Sequence, residues 1–243
     1  MRLIRAFFMC LGMFTAIPCP YRPWDEDARD MMLVMLPPVG LVIGLLWFAL
    51  AALAGQALSV VHSALIAALP WLLTGFIHLD GYMDTCDAML SWRPLEKRLE
   101  ILKDSHTGAY AVVGLGLLML LSYDAVSGKA LDLRSLLFIP VVSRCGSALS
   151  VLTLRPIGHS QYAQTRGKAA QRMAVALMWL ITVVSCALWL GRPAIALLVE
   201  TAAYGLAMTW VYRTLKGVSG DVAGFALTVS ECAALMAWAQ WGG

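Results

Sequence analysis

The chain is 243 residues long, and 60% of its residues are hydrophobic whereas only 14% are charged. A soluble domain typically carries about 25% charged residues, so this chain has too few polar groups to cover a soluble surface, and a lipid bilayer is the better solvent. Its net charge of +3 includes no basic block of the kind that binds nucleic acid, so we expect no nucleic-acid partner.

The chain begins with an apolar segment that follows Arg2 and Arg5 but lacks a small-residue cleavage site, so we expect it to be retained as an interfacial helix. Seven later stretches are close to the roughly 20 apolar residues that cross a bilayer. They are roughly residues 32–54, 58–78, 109–126, 135–153, 173–190, 194–211 and 222–240. Their continuous rather than alternating apolar character favours helices over a β-barrel. The sequence therefore predicts an all-α fold, a polytopic transmembrane helical bundle of about seven spans that forms one domain over residues 1–243.

The loops between these spans differ in positive charge. If the N-terminus is cytoplasmic, most Lys and Arg residues lie on cytoplasmic segments, and the opposite loops hold only Lys129, Arg134 and Arg192. Because cytoplasmic loops usually carry the excess of Lys and Arg, the N-terminus is predicted to be cytoplasmic and the C-terminus external. Three cytoplasmic loops follow from this topology, and they lie near residues 79–108, 154–172 and 212–221.

Three acidic residues directly follow the second predicted span. Asp80, Asp84 and Asp87 are spaced so that a helix would place them on one face. They would repel one another unless a cation lay among them, and carboxylate oxygens suit Mg²⁺, which also binds substrate phosphates. The alternative is a solvated acidic helix end. Ionisable groups next to an apolar span are costly and usually functional, which favours a metal site able to polarise a phosphoryl group.

Two further residues flank this acidic stripe. His78 could be a metal ligand, a substrate contact or a histidine anchored at the membrane interface, and its spacing alone favours the last. Asp104 lies just before the next span and could complete a site in three dimensions, or could simply cap a surface helix. The segment between them, near residues 94–103, has the pattern of an amphipathic helix that either lies on the membrane surface or packs against the core.

Charged residues also lie in or beside later spans. Arg144 could be an ion-paired or snorkelling arginine, or a phosphate contact, because a guanidinium matches phosphate oxygens. The segment 217–221 could be a turn that approaches a ligand through its glycines, or a plain interhelical turn. Glu231 is expected to face the interior of the bundle.

Taken together, these motifs resemble the cobalamin synthase family, the adenosylcobinamide-GDP ribazoletransferases. The resemblance is carried in order by residues 15–20 (TAIPCP), 78–87 (HLDGYMDTCD), 99–105 (LEILKDS), 143–144 (SR) and 217–224 (GVSGDVAG). The string at 78–87 is highly specific, whereas the others are moderate or weak alone. The chain departs from the usual family pattern at four positions, namely Ala88, His106, Ala111 and Thr228.

The resemblance implies an enzyme of the cytoplasmic (inner) membrane that joins α-ribazole, or its 5′-phosphate, to adenosylcobinamide-GDP and releases GMP. It also implies Mg²⁺ as cofactor. Asp80, Asp84 and Asp87 would hold the metal, and Asp84 and Asp104 would be catalytic. The residues expected to contact substrate are His78, Lys103, Ser105, Arg144, Gly220 and Asp221.

Two other functions fit parts of this pattern. A CDP-alcohol phosphatidyltransferase also carries metal on membrane helices through aspartates, but it would lack the residues at 78–81 and the closing Gly-Asp segment. A cation transporter usually places its site near the midplane, within repeated halves, whereas these carboxylates are predicted at one surface and no repeat is visible. The sequence leaves a homo-oligomer open.

Overall fold

A computed structural model describes residues 1–19, 21, 24–53, 60–127, 132–157 and 169–241. Pro20, Lys129 and loop residues 158–168, which entered the predictions above, lie outside these ranges. The described residues form eleven α-helices and one short 3₁₀ helix, and no strand is found among them. The α-helices are α1 (Arg2–Phe14), α2 (Glu26–Arg29), α3 (Met32–Leu53), α4 (Val60–Leu73), α5 (Ile77–Leu90), α6 (Leu95–Ile101), α7 (Ala109–Val126), α8 (Ile139–Thr153), α9 (Ala169–Leu190), α10 (Ala194–Leu215) and α11 (Gly220–Trp241).

Six helical segments of the described chain are long and apolar enough to cross a membrane, and a bent pair makes a seventh. This confirms the predicted all-α bundle of about seven spans. The segments differ in burial: 78% of an apolar 18-residue stretch of α11 is buried inside the protein, compared with 11% of the corresponding stretch of α9. Helix α11 is therefore the central helix of the bundle, whereas α9 lies at its periphery.

The predicted second span is sharply bent, unlike the other described spans. It consists of α4 and α5, which meet at an angle of 92°. The turn between them contains Gly75 and Phe76, both with positive φ, and glycine adopts such backbone angles without strain. Helix α5 continues to Leu90, so the acidic stripe belongs to a packed helix and not to a loop beginning at residue 79. The sequence becomes less apolar at the aspartates, which is why the span was predicted to end near residue 78. The opposite face of α5 remains buried, and its packing stabilises the helix beyond that point.

Both ends of the bundle are defined by contacts between described segments. At one end, the backbone of Val218 exchanges hydrogen bonds with Arg155 (2.8 Å) and Ile157 (2.9 Å). At the other end, the Trp47 Nε1–H donates to the Ile66 carbonyl at 2.8 Å. The first end also carries the C-terminus of α5 and the N-terminus of α7, and we call it the carboxylate end. The three loops predicted to share one side thus share this end in their described parts.

Helix α6 lies at the carboxylate end and packs against the bundle, which is one of the two roles predicted for this segment. Leu99 and Ile101 of α6 and the adjoining Leu102 pack against the hydrophobic cluster formed by α5, α10 and α11. Their polar neighbours Glu96, Lys97 and Glu100 are exposed. The amphipathic pattern therefore holds the segment between the stripe and Asp104 against the bundle.

Candidate active site

The site begins where α5 and α11 cross at very short range. A Cβ atom placed on Gly81 would lie 2.7 Å from the Cα of Asp221, which is closer than packed side chains allow. Gly224 similarly lies against the backbone of His78, with a Cβ distance of 3.3 Å to its carbonyl oxygen. These glycines permit the two backbones to approach, and the approach brings Asp221 beside the acidic stripe.

Four carboxylates meet at this crossing. The side chain of Asp84 is half-buried and lies within electrostatic range of Asp80, Asp221 and Asp87. Asp80 is exposed, and in the part of the chain that the structure describes no Lys or Arg forms an ion pair with Asp80, Asp84 or Asp221. The crossing is therefore a concentration of negative charge that lacks a protein cation and remains open to solvent.

Asp87 also has a structural role, which its spacing from Asp80 and Asp84 in the sequence did not predict. Its carboxylate accepts hydrogen bonds from the backbone N–H groups of Gly108 (2.6 Å) and Ala111 (2.9 Å) at the start of α7. The first N–H groups of a helix have no partner within the helix, and an acidic side chain stabilises that positive end. Gly108 is needed there, because a Cβ would lie 2.6 Å from the Asp87 Oδ1. Asp87 thus anchors α7 beside the site.

The donor set at the crossing suits a hard cation. Among the described residues, no group of three or more His, Cys, Asp or Glu side chains is arranged to hold a metal by itself. Mg²⁺ does not require such a cage, because it commonly uses one or two carboxylates together with water and substrate phosphates. Asp80, Asp84 and Asp221 fit that role. Asp87 stays a predicted ligand, because each of its oxygens accepts one backbone hydrogen bond and keeps a further lone pair.

A cavity of about 400 Å³ opens beside Asp87 at the carboxylate end, and we call it the outer cavity. Asp104 lines it together with Arg93, so the structure places Asp104 near Asp87. The His106 Nδ1–H donates to the Asp104 carboxylate at 2.6 Å, and this hydrogen bond lowers the pKa of Asp104 below its ordinary value. Lys103 and Ser105 lie on the same exposed turn, but neither lines the outer cavity.

A second cavity, of about 150 Å³, lies between α1, α3, α5, α8 and α11, and we call it the inner cavity. His78 lines it and is only 8% exposed. The expectation that His78 anchors at the membrane interface is therefore wrong, because α5 turns this side chain into the bundle towards α11. Gly220 and Asp221 line the same cavity, so the two substrate contacts predicted on the closing segment lie near His78.

Arg144 and Glu231 form an ion pair in the interior of the bundle. The Arg144 guanidinium is 1% exposed, and its Nη1 donates to Glu231 Oε1 at 2.5 Å and to the Pro140 carbonyl at 3.1 Å. Ser143 donates to the same Glu231 oxygen at 2.8 Å. Of the alternatives that the sequence left open, this geometry favours the ion-paired arginine over the phosphate contact, because a soluble phosphate does not reach so buried a group. Glu231 faces the interior as predicted.

Three residues near these sites were missed by reasoning from the sequence. Arg93 lines the outer cavity and Ser147 lines the inner cavity. Glu200 is fully buried on α10, within electrostatic range of Arg144 and Glu231. A charge inside the apolar span at 194–211 was a visible signal for Glu200, whereas nothing in the sequence distinguishes Arg93 or Ser147 from ordinary loop and helix residues.

Comparison with known proteins agrees with the motifs. The family model described as cobalamin-5-phosphate synthase matches residues 6–239. The chain is 38% identical to an adenosylcobinamide-GDP ribazoletransferase of Clostridium botulinum (strain Alaska E43 / Type E3), with 96% of each chain covered. It is 33% identical to the Geotalea daltonii protein of the same name, with 99% of each chain covered. The comparison with solved structures found no match. The chain belongs to the cobalamin-5-phosphate synthase family.

Proposed function

We propose that this protein is a Mg²⁺-dependent adenosylcobinamide-GDP ribazoletransferase. A hydroxyl of α-ribazole, or of its 5′-phosphate, attacks the phosphorus that carries the cobinamide side of the pyrophosphate. The bond from this phosphorus to the bridging oxygen breaks, GMP leaves with that oxygen, and the hydroxyl proton passes to a base. The products are adenosylcobalamin, or its phosphate, and GMP. The observation that carries this proposal is the group of carboxylates around Asp84, which has no protein cation in the described structure.

Each side chain at the carboxylate end has a part in this reaction. Asp80 and Asp84, with Asp221 beside them, would hold Mg²⁺, which when bound neutralises charge on the pyrophosphate. Phosphoryl transfer depends mainly on positioning and on charge neutralisation. Asp87 keeps the start of α7 in place, and Arg93 offers a guanidinium to phosphate oxygens in the outer cavity. We assign Asp104, an ionised carboxylate in that cavity, as the proton acceptor.

The arrangement of the bundle supports a cytoplasmic site. The positively charged segments that include Arg93, Lys97 and Arg155 lie at the carboxylate end. Since positive loops usually remain in the cytoplasm, we infer a multi-pass protein of the cytoplasmic membrane with its N-terminus inside. The nucleotide-activated substrate would then reach Asp84 from the cytosol, while the apolar outer faces of the helices contact lipid.

The alternatives have less support. A CDP-alcohol phosphatidyltransferase would share the helical aspartates. However, the relatives reported above, which match this chain over nearly their full length, are named ribazoletransferases. A cation transporter would place its carboxylates near the midplane. Here the interior of the bundle holds the Arg144–Glu231 ion pair, and the carboxylates that lack an ion-pair partner in the described structure gather at one end.

The test is nucleotide release from membranes that contain the protein. With adenosylcobinamide-GDP, α-ribazole and Mg²⁺, we expect GMP and a cobalamin product, and with CDP-diacylglycerol and a lipid alcohol we expect no CMP. Replacing Asp84→Asn should lower GMP release by about 100-fold or more, since metal stabilisation of the transferred group is worth several kcal/mol. Activity should also disappear on chelation of Mg²⁺.

The matched control is Asp132→Asn, which makes the same chemical change in a surface pair with Arg134, outside the carboxylate end. Its GMP release should stay close to that of the unchanged protein. Release of CMP instead of GMP would contradict the assigned reaction. Near-normal Mg²⁺-dependent GMP release by the Asp84→Asn variant would contradict the assigned metal site.

A further inference from the structure

The inner cavity has a mainly apolar wall, and among its described lining residues one buried side-chain atom, the His78 Nε2, lacks a hydrogen-bond partner. Its buried members include Leu33, Leu36 and Ala223, whereas Met13 and Gly220 are exposed and mark its mouth. Cavities of about 150 Å³ that are lined by aliphatic and aromatic side chains can hold a ring as large as benzene. The space therefore suits one small planar ring system and is far too small for a corrin.

His78 supplies this unpartnered polar atom of the cavity. Its Nε2 is buried and has no hydrogen-bond partner among the described residues, and a buried polar atom left without a partner is costly. Its other ring nitrogen lies towards α11, 3.7 Å from where a Cβ on Gly224 would be. The Phe14 ring lies nearly parallel to the imidazole, with ring centroids 6.1 Å apart and an interplanar angle of 13°. Flat surfaces and one hydrogen-bonding atom are the features that recognise a heteroaromatic ring.

The inner cavity lies directly below the candidate metal site. Ile77, which lines the cavity, and Asp84 are seven residues apart on α5 and therefore share one face of that helix. At about 1.5 Å per residue they are separated by roughly 10 Å along the helix axis. Asp221 lines the cavity and also lies within electrostatic range of Asp84. A molecule of nucleoside size could thus place a ring in the cavity and a sugar hydroxyl beside the carboxylates.

We propose that the inner cavity is the binding site for the planar aromatic base of the acceptor nucleoside, with His78 Nε2 as the hydrogen-bond partner of its unsubstituted ring nitrogen. This inference rests on the proposed function, because it assumes that α-ribazole is the acceptor. In the neutral tautomer with a proton on Nε2, His78 donates and the ring nitrogen accepts. The ribose then lies at the mouth by Asp221, and its hydroxyl points towards Asp84.

Other occupants fit this cavity less well. The guanine of the donor carries several polar edge atoms. Besides His78, the polar side chains among the described lining residues are Ser147 and Asp221, and Asp221 lies next to the exposed Gly220 at the mouth. A lipid chain would leave the His78 Nε2 unsatisfied. An apolar bicyclic base with one free ring nitrogen matches both the mainly apolar wall and the unpartnered His78 Nε2.

The test separates the Michaelis constants of the two substrates. Replacing Val151→Phe, at the cavity wall, should raise the KM for α-ribazole by about tenfold or more, because even a small change in a hydrophobic pocket has an effect of this size. The KM for adenosylcobinamide-GDP should stay within about twofold. The matched control is Val112→Phe on the exposed face of α7, which should change neither constant. His78→Phe keeps the ring but removes Nε2, so it should raise the acceptor KM by about tenfold.

A second variant keeps the proposal testable if Val151→Phe fails to fold. Val151→Ala enlarges the cavity and should lower the KM for an acceptor nucleoside with a bulkier, tricyclic base. Binding of radiolabelled α-ribazole to purified protein without donor should be weakened by His78→Phe and retained by Val112→Phe.

The outcomes distinguish a failure of the proposed function from a failure of the proposed base site. If the unchanged protein releases no GMP from the two substrates, the proposed function itself fails. If it does release GMP but the variants raise the KM for the donor, or leave both constants unchanged, the proposed function survives and the base site is overturned. The base site would also be overturned if Val151→Ala left the KM for the acceptor with the tricyclic base unchanged.

Discussion

The protein holds two groups of charged side chains that differ in balance and in access to water. In the interior, Arg144 and Glu231 pair at 2.5 Å and are almost completely buried. At the carboxylate end, Asp80, Asp84 and Asp221 have no protein cation in the described structure, and Asp80 is exposed. The first group pairs an arginine with a glutamate within the bundle, although Arg144 Nε and Nη2 have no hydrogen-bond partner among the described residues. The second group leaves a negative site that faces solvent.

This difference separates structural from reactive charge. A buried ion pair requires each partner to remain in place, because the one left behind would be an uncompensated charge in a medium of low dielectric constant. An open carboxylate group tolerates its repulsion in water and can accept a cation with its phosphate ligand. We therefore expect interior substitutions to affect stability first, and substitutions at the carboxylate end to affect turnover first.

The largest effect on stability is expected from Arg144→Met. Removing one partner of a buried ion pair typically costs about 3–5 kcal/mol, so the free energy of unfolding in mixed micelles should fall by that amount. The double variant Arg144→Met/Glu231→Met should recover much of the loss, because apolar side chains can replace a buried pair without penalty.

The recovered double variant also decides between the two interpretations of Arg144. We expect its GMP release to approach that of the unchanged protein, as the ion-pair interpretation requires. If stability returned but turnover stayed low with a raised KM for the donor, the phosphate contact would be the correct interpretation and the comparison of the two groups would break down.

A smaller effect is expected from Gly81→Ala at the crossing of α5 and α11. The added methyl group would lie 2.7 Å from the Asp221 Cα, so the helices must separate, and such overpacking costs about 1–3 kcal/mol. Because the separation also moves Asp221 away from Asp84, turnover should fall as well. The unfolding free energy and the rate of GMP release would both be measured.

Gly116→Ala provides the matched control for this substitution. Gly116 lies on an exposed part of α7, and nothing approaches its Cβ position within 4 Å. Alanine there should be neutral or should stabilise the helix by up to about 1 kcal/mol. Equal effects of the two glycine substitutions would contradict the close crossing as the basis of the site.

The smallest effect is expected from His106→Ala in the outer cavity. The His106 hydrogen bond holds the pKa of Asp104 below its ordinary value, so the stability it contributes is present above that ordinary pKa and is lost as the pH falls through the lowered pKa. Removing His106 should raise the pKa of Asp104, as measured by NMR titration of the carboxyl carbon. Turnover at neutral pH should change little, since Asp104 is ionised in both proteins.

His62→Ala, on α4 and remote from the outer cavity, is the control and should not alter that titration. An unchanged Asp104 pKa in the His106→Ala variant would show that the hydrogen bond does not control this carboxylate.

Much of the fold was predictable because the bilayer constrains the sequence strongly. A helix must satisfy its own backbone hydrogen bonds in lipid, so each span appears as a long apolar run, and α3, α7 and α11 begin and end within a few residues of their predicted bounds. The spacing of Asp80 and Asp84 likewise predicted a carboxylate site, and the family resemblance of the string at 78–87 indicated the reaction class, in both cases without tertiary information.

The tertiary structure alone decided which partner each polar group has. Asp87, predicted as a third metal ligand, also anchors the start of α7, and Asp221 joins Asp84 only because Gly81 permits a close crossing. Composition and helical periodicity report which residues share a face of one helix, but not which helix lies opposite. The sequence by itself therefore determined that this is a membrane bundle with a carboxylate motif of the cobalamin-5-phosphate synthase family, whereas helix packing decided that His78 lines a cavity and that Arg144 is paired in the interior.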